Sequence, residues 1–336
     1  MWYVGLDVHA KRSSYCILDE GGRTVKERTV KGSVSTVLAE LCEVKHRFAI
    51  VYEASCNYGH LHDELSRFAS RVVVAHPGQL RLIFKSKRKN DRVDAKKLAK
   101  MLLLDMVPSV HVPSRAVRSW RGLIEHRQRQ VDERTRIKNG LRALLRGQGI
   151  EAPKSLWTKA GLAWLRAEAF PEPLDAIRRD DLVARLELAN AALRRVEAVL
   201  NAMGLEHPGV CLLRTIRGVG IRTAEAVVAY IDQPHRFSRN KAIGSYFGLV
   251  PCQNASAGKN RLGHITKDGP ATVRRLLTQA AWQGIRRSPE IRAYYERVRR
   301  DDPDRKKIAI VATMHYLARV MLAMLRTGEA WRPSAA

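Results

Sequence analysis

The sequence predicts an α/β domain at the N-terminus followed by a longer, mainly helical region, and three observations carry that prediction. Up to about residue 105, short β-prone apolar runs bounded by turn residues alternate with stretches of helical periodicity. Beyond Pro108 and Pro113 the composition shifts to long Arg-rich stretches with helix-like apolar spacing. An apolar content of 45% over 336 residues is enough to bury more than one core, which excludes a disordered basic tail. The expected division is an α/β domain over 1–110, a helical coiled-coil and dimerisation region over 111–205, and a mainly α domain over 206–330.

The first elements read as an antiparallel meander. Trp2–Val8 and Ser13–Leu18 are β-prone, and Asp19-Glu20-Gly21-Gly22 makes a hairpin turn before Thr24–Val30. Asp7 falls inside the first strand: facing inward it needs a metal or a hydrogen-bonding partner, whereas on a solvated edge it needs neither. Val34, Val37, Leu38 and Leu41 keep helical spacing. Phe48–Tyr52 is a buried strand ending at Glu53, the end of a strand at which open α/β sheets build their sites. Leu61, Leu65 and Phe68 mark a helix, Val72–Val74 a strand, and His76-Pro77-Gly78 a break.

The segment from Lys85 to Lys100 is the most unusual in the chain. Asp91 and Asp94 are its only acids, set among eight Lys and Arg residues that include Lys85, Lys87, Arg88 and Lys89. A helix starting near Asp91 puts both carboxylates on one face. Such a pair suits a hard divalent cation, Mg²⁺ or Mn²⁺, with the neighbouring bases matched to phosphates; a solvated helix with local ion pairs is the alternative.

Between Ser114 and Arg146 the apolar spacing is imperfectly heptad-like, and Gly147-Gln148-Gly149 ends that helix. Leu182, Leu186, Ala189, Leu193, Val196 and Leu200 form a strict seam, open either to a second chain as a coiled coil or to its neighbour as an intrachain hairpin. Gly218-Val219-Gly220 reads as the turn of a helix-hairpin-helix-like unit, with Arg217 and Arg222 placed for phosphate, or as a plain packing joint. The stretch Phe247–Gly269 reads as a basic, glycine-punctuated loop carrying Ser256, Lys259, Arg261, His264 and Lys267. Helices follow, with Val273, Leu276, Leu277, Ala280 and Ala281 inward, Arg274 and Arg275 outward, and a last helix over about 306–325. Tyr294, Tyr295, Arg297, Arg299 and Arg300 form an aromatic-basic helix, suited to nucleic acid or to a snorkelling surface.

Net charge is +27, spread along the chain, which favours a long polyanion over a small acidic ligand. Five scattered cysteines without a CxxC pair argue against a disulfide framework and a zinc site. The run Ile308–Met314 falls short of a membrane span, and the start of the chain lacks the pattern of a secretory signal, so a cytoplasmic protein is expected.

Meander, helix, strand, helix, strand, helix, with acids at Asp7, Glu53, Asp91 and Asp94, resembles the ribonuclease H-like, Holliday-junction-resolvase-like nuclease fold. Gly5-Leu-Asp7-Val-His9-Ala-Lys11, Tyr52-Glu53-Ala-Ser and Asn90-Asp91-Arg-Val-Asp94-Ala-Lys-Lys-Leu-Ala99 are similar to the DEDD transposases of bacterial insertion sequences, a recombinase family that includes the pilin-gene invertases. Gly248-Leu-Val-Pro251 and the serine stretch after it resemble the second block of the same family.

The resemblance implies that Asp7, Glu53, Asp91 and Asp94 hold Mg²⁺ and that Ser256 is a serine nucleophile. It further implies donor and target DNA as substrates, a structured guide (bridge) RNA as partner, and a homo-oligomer, dimer or tetramer, with a composite site. Two other readings keep the same acids or the same charge: a metal-dependent junction-resolving nuclease that uses water, and a non-catalytic nucleic-acid-binding protein.

Overall fold

The computed structural model describes residues 1–55, 57–83, 91–256 and 259–332, and the chain forms two compact units, Met1–Arg118 and Ser119–Ala336.

In the first unit, β1 (Trp2–Val8), β2 (Arg12–Leu18) and β3 (Thr24–Lys31) form the expected antiparallel meander. α1 (Val34–Cys42) leads to β4 (Phe48–Glu53), which lies parallel to β1. α2 (Tyr58–Leu65) leads to β5 (Arg71–Ala75), parallel to β4, and α3 (Pro77–Ile83) and α4 (Asp91–Leu103) follow. The sheet order is β3-β2-β1-β4-β5, a mixed five-stranded sheet.

Strand alternation divides the buried side chains between two layers. Val4, Leu6, Tyr15, Ile17, Phe48, Ile50 and Tyr52 meet Val37 and Leu41 of α1 and Leu61 and Leu65 of α2. The opposite face, with Ala49, Val51, Val73, Ala75, Cys16 and Leu18, is covered by Ala95, Leu98, Ala99, Met101 and Leu102 of α4. Gly5 sits at the centre of that second interface. A Cβ there would lie 2.0 Å from the Ala95 carbonyl oxygen and 2.4 Å from the Ala99 nitrogen, so α4 rests backbone-to-backbone on β1.

In the second unit, α5 (Arg115–Gly147) and α7 (Pro173–Glu206) are joined through α6 (Lys159–Ala167). Gln148 Nε2 donates to Asp175 at 2.8 Å, Arg185 pairs with Glu133 at 3.0 Å, and Arg127 pairs with Glu197 at 2.6 Å, which fixes the two long helices as an antiparallel hairpin. Leu186, Ala189, Leu193 and Leu200 are buried, the first two against Ile137 and Leu141 of α5. These seam positions therefore pack within the chain, the intrachain hairpin of the two arrangements expected, because the connection through α6 lets α7 fold back onto α5.

α8 (Pro208–Leu213), α9 (Ile221–Ile231), α10 (Ala242–Tyr246), α11 (Ala271–Arg287), α12 (Pro289–Arg299) and α13 (Lys306–Thr327) pack around one core with the start of α5. α13 is long and apolar enough by composition to cross a bilayer, beyond what the run Ile308–Met314 suggested, because His315 and Arg319 interrupt a segment whose mean hydropathy stays at 1.8. Half of that segment is buried, and Met314, Leu317, Ala318, Met321 and Leu322 fill the core of this unit.

α12 is not an open aromatic platform. Tyr295 is buried and Tyr294 stacks on Tyr316 with centroids 4.5 Å apart, so its aromatic side chains serve packing. Cys16, Cys42, Cys211 and Cys252 are free thiols, and Cys56 lies outside the described residues.

Candidate metal centre and serine hairpin

The first site is assembled by β1, β4 and α4. Asp7 faces the α4 side of the sheet because it continues the Tyr3, Gly5 alternation, and Ser14 stands opposite it on β2. Glu53 lies one residue beyond the Leu6–Tyr52 pair of the parallel β1–β4 ladder, so it occupies the adjacent strand end on the same face. α4 begins at Asp91, and the close approach at Gly5 sets its first turn, with Asp91 and Asp94, over the end of β1.

Asp7, His9 and Asp91 offer ligand atoms that all lie within 4.8 Å of one another. His9 Nε2 is 3.2 Å from Asp7 Oδ2 and 3.8 Å from Asp91 Oδ1. Arg12 reaches Asp91 Oδ2 at 2.7 Å, and Lys97 reaches Asp94 Oδ1 at 3.3 Å. Burial pushes the Asp7 carboxyl above its usual range, and the nearby charges of Asp91 and Asp94 add to the rise while His9 opposes it. Two carboxylates and an imidazole within 4.8 Å, with Asp94 close enough to act on Asp7, make a donor set suited to a divalent cation, which would relieve the repulsion among the acids.

Glu53, which is exposed, and Asp94, which pairs with Lys97, both stand outside the tight cluster of Asp7, His9 and Asp91. His9 was not singled out by sequence reasoning. The signal was available, because in an extended strand positions 7 and 9 share a face. Lys85, Lys87, Arg88 and Lys89 lie outside the described residues.

The second site is in the C-terminal unit. The stretch expected to be a loop is a β-hairpin, β6 (Pro251–Ser256) and β7 (Lys259–Ile265), with Ser256 paired to Lys259 at its far end. Few β-branched residues mark it, which hid the strands, and the two-residue connection Ala257-Gly258 lies outside the described residues. The side chains of Ser256 and Lys259 are likewise not described, whereas Arg261 and Lys267 are exposed.

The hairpin's base is tightly built. Gly248 (φ +64°) and Gly269 (φ +71°) take left-handed conformations, and a Cβ on either would lie 2.2 Å from a carbonyl oxygen, of Asp268 and Tyr246 respectively. Arg274 does not face outward as its helical position suggested. Its Nη1 donates to the carbonyls of Phe247, Asp268 and Gly269 at 3.2, 2.6 and 3.1 Å, and burial lowers its pKa.

At the helix-hairpin-helix-like turn, Gly218 (φ +99°) packs on α11, where a Cβ would come 2.5 Å from the Gly284 nitrogen. Gly220, by contrast, meets open space at the start of α9. Arg217 is exposed. Arg222 is turned inward, 3.1 Å from the buried Glu225.

Residues 4–149 match the model of a DEDD transposase domain of the IS110 type, and residues 210–296 match the model described as transposase IS116/IS110/IS902 family. The first match covers the acid cluster, and the second covers the helix-hairpin-helix-like turn and the serine hairpin. Three relatives align over most of their length. A putative transposase, y4qE, of Sinorhizobium fredii is 26% identical over 83% of this chain and 71% of its own. The transposase for insertion sequence element IS1111A of Coxiella burnetii is 27% identical over 83% of this chain and 76% of its own. A probable family 20 transposase of Pseudomonas aeruginosa is 26% identical over 73% of this chain and 74% of its own. With both domain models matched in separate segments and transposases aligned across the chain, the protein belongs to the IS110/IS116/IS902 family of insertion-sequence transposases.

Proposed function

We propose that this transposase exchanges DNA strands through a covalent phosphoserine formed at Ser256, assisted by a divalent cation, Mg²⁺ or Mn²⁺, at Asp7, Glu53, Asp91 and Asp94. The observation that carries the reading is the cluster of Asp7, His9 and Asp91 at the end of β1, whose ligand atoms lie within 4.8 Å of one another. Bound there, the cation supplies charge stabilisation to a scissile phosphate and lowers the pKa of a hydroxyl.

In this mechanism Ser256 Oγ attacks phosphorus, the Ser–O–P bond forms, the P–O3′ bond breaks, and the serine proton is given up to a base while the 3′-oxygen leaves as a hydroxyl. The 3′-hydroxyl of one strand then attacks the phosphoserine of its partner, restoring a phosphodiester and the free serine. One ester is exchanged for another at each step, so no ATP is required. The tight base of the hairpin, held by Gly248, Gly269 and Arg274, fixes the track on which Ser256 is carried. Arg217, Arg222, Lys259, Arg261, Lys267 and the Lys85–Lys89 segment supply phosphate contacts, Arg222 only if its pair with Glu225 opens.

The working unit is a homo-oligomer in the cytoplasm that acts on donor and target DNA with a structured guide RNA, the serine and the acids coming from different protomers.

Incubating the protein with duplexes carrying the element's ends, Mg²⁺ and denaturing gels tests this directly. Wild type gives a protein–DNA adduct that maps to Ser256, and Ser256→Ala gives none while still binding Mn²⁺. Cleavage by Ser256→Ala at the wild-type rate would assign the chemistry to water.

A further inference from the structure

We propose that the far end of the α5–α7 hairpin is a sequence-blind contact for a nucleic-acid phosphodiester backbone. Arg134, Lys138, Arg142 and Arg146 follow one another at four-residue steps, so they line one face of α5 over about 18 Å. Like charges at that spacing oppose helix formation, and such a ladder is retained here without local compensation. Among the described residues none of the four forms an ion pair with a carboxylate. Farther along the same hairpin the pattern is different, because Arg127 is matched to Glu197 and Arg185 to Glu133.

The ladder runs into a groove of about 610 Å³ lined by Arg142, Arg146 and Lys154, with Glu151 its only acid. Lys138 Nζ and the Arg142 guanidinium both lie over the Trp157 ring, at 4.8 and 5.1 Å from its centroid. Burial lowers the Lys138 pKa, and the repulsion of Arg134 and Arg142 adds to the fall.

The arrangement selects a partner. Cations strung along about three helical turns match successive phosphates better than one small anion, and guanidinium groups suit phosphate oxygens. None of the described residues lining the groove is aromatic, so it offers cations and no ring for a base to stack on. Contacts are therefore to the backbone alone, and they position nucleic acid without reading its sequence. The source of the phosphates is duplex DNA or structured RNA, which present the same chemistry.

The inference rests on the protein's acting on nucleic acid and is tested separately from the serine mechanism. The probe is the full chain carrying Arg142→Gln, Arg146→Gln and Lys154→Gln, all exposed positions, with folding checked by circular dichroism. Binding to two unrelated duplexes and one stem-loop RNA is measured over a salt series. The expected result is a log affinity against log salt slope shallower than wild type by about two to three, equal for the two duplexes. A change confined to the RNA assigns the groove to RNA, and one confined to the duplexes assigns it to DNA.

The control removes equal charge where carboxylates already balance it, with Arg166→Gln, Arg178→Gln and Arg185→Gln, and it keeps the wild-type slope. A triple variant with the wild-type slope on every probe, or a control with an equal change, overturns the proposal and leaves the serine mechanism standing. A wild-type slope that is flat also overturns the proposal, since no phosphate contact is then made.

Discussion

Replacing Gly5 with alanine tests whether close helix–strand contact positions the acids. The added Cβ would lie 2.0 Å from the Ala95 carbonyl oxygen and 2.4 Å from the Ala99 nitrogen, both backbone atoms of α4 that no rotamer change can clear. Real Cβ contacts essentially never fall under 3.0 Å, so α4 must withdraw from β1 by about 1 Å. Overpacking of this kind costs about 1–3 kcal/mol of stability. Its larger effect is on geometry, because Asp91 and Asp94 move with the helix while Asp7 stays on the strand. A 1 Å misplacement of a catalytic group lowers a rate by about a hundredfold.

The assay is the rate of strand cleavage on element-end duplexes in Mg²⁺, at a temperature where circular dichroism shows the variant folded. Val73→Ala, on the same buried face but away from the acids, is the control, destabilised yet at the wild-type rate when folded. A folded Gly5→Ala protein that cleaves at the wild-type rate would refute the argument that this contact sets the acids' positions.

Three further outcomes follow from the same geometry. His9→Gln, which removes the imidazole 3.2 Å from Asp7, should weaken Mn²⁺ binding by about ten- to a hundredfold in calorimetric titration, and unchanged affinity would take His9 out of the centre. Arg274→Ala, which deletes the donor to three carbonyls, should cost about 2 kcal/mol and speed amide exchange across 247–269, and an unchanged exchange pattern would remove its clamping role. Glu225, buried beside Arg222 and also within the fields of Arg127 and Arg214, has its pKa pushed up by burial from 4.5 to about 7. The folded chain then holds a proton that the unfolded chain has lost, so stability falls as pH rises from 4.5 to about 7, by on the order of 3 kcal/mol. Denaturant midpoints should show that fall in wild type and not in Glu225→Gln, and the same fall in both would assign it to other groups.

Much of the first unit was legible because its signals are local. Period-two alternation marks the strands, and the three-residue spacing of Asp91 and Asp94 fixes a shared helix face wherever the helix lies. Gly5 carries no such signal, since the need for a bare α-carbon arises only when α4 is laid across β1. His9 hides for a related reason: on a strand end it reads as one polar residue among several.

The seam from Leu182 to Leu200 states that an apolar stripe needs a partner and says nothing of which one, so the choice between α5 and another chain waits for the connection through α6. In the second unit Arg274 lies on the outer side of an amphipathic helix, and only the folded hairpin reveals three carbonyls within its reach. The strands around Ser256 escape notice because glycine, asparagine and lysine weaken every β signal, and the pairing of Gln253–Ser256 with Lys259–Leu262 is a tertiary feature.

The most direct measurement is anomalous diffraction from crystals grown with Mn²⁺ at a concentration that supports strand cleavage. The account predicts a peak bounded by Asp7, Glu53, Asp91 and Asp94, beside His9, present in Ser256→Ala and lost in Asp7→Asn. Density absent there while the same preparation cleaves DNA, or a peak held by other side chains, would contradict it.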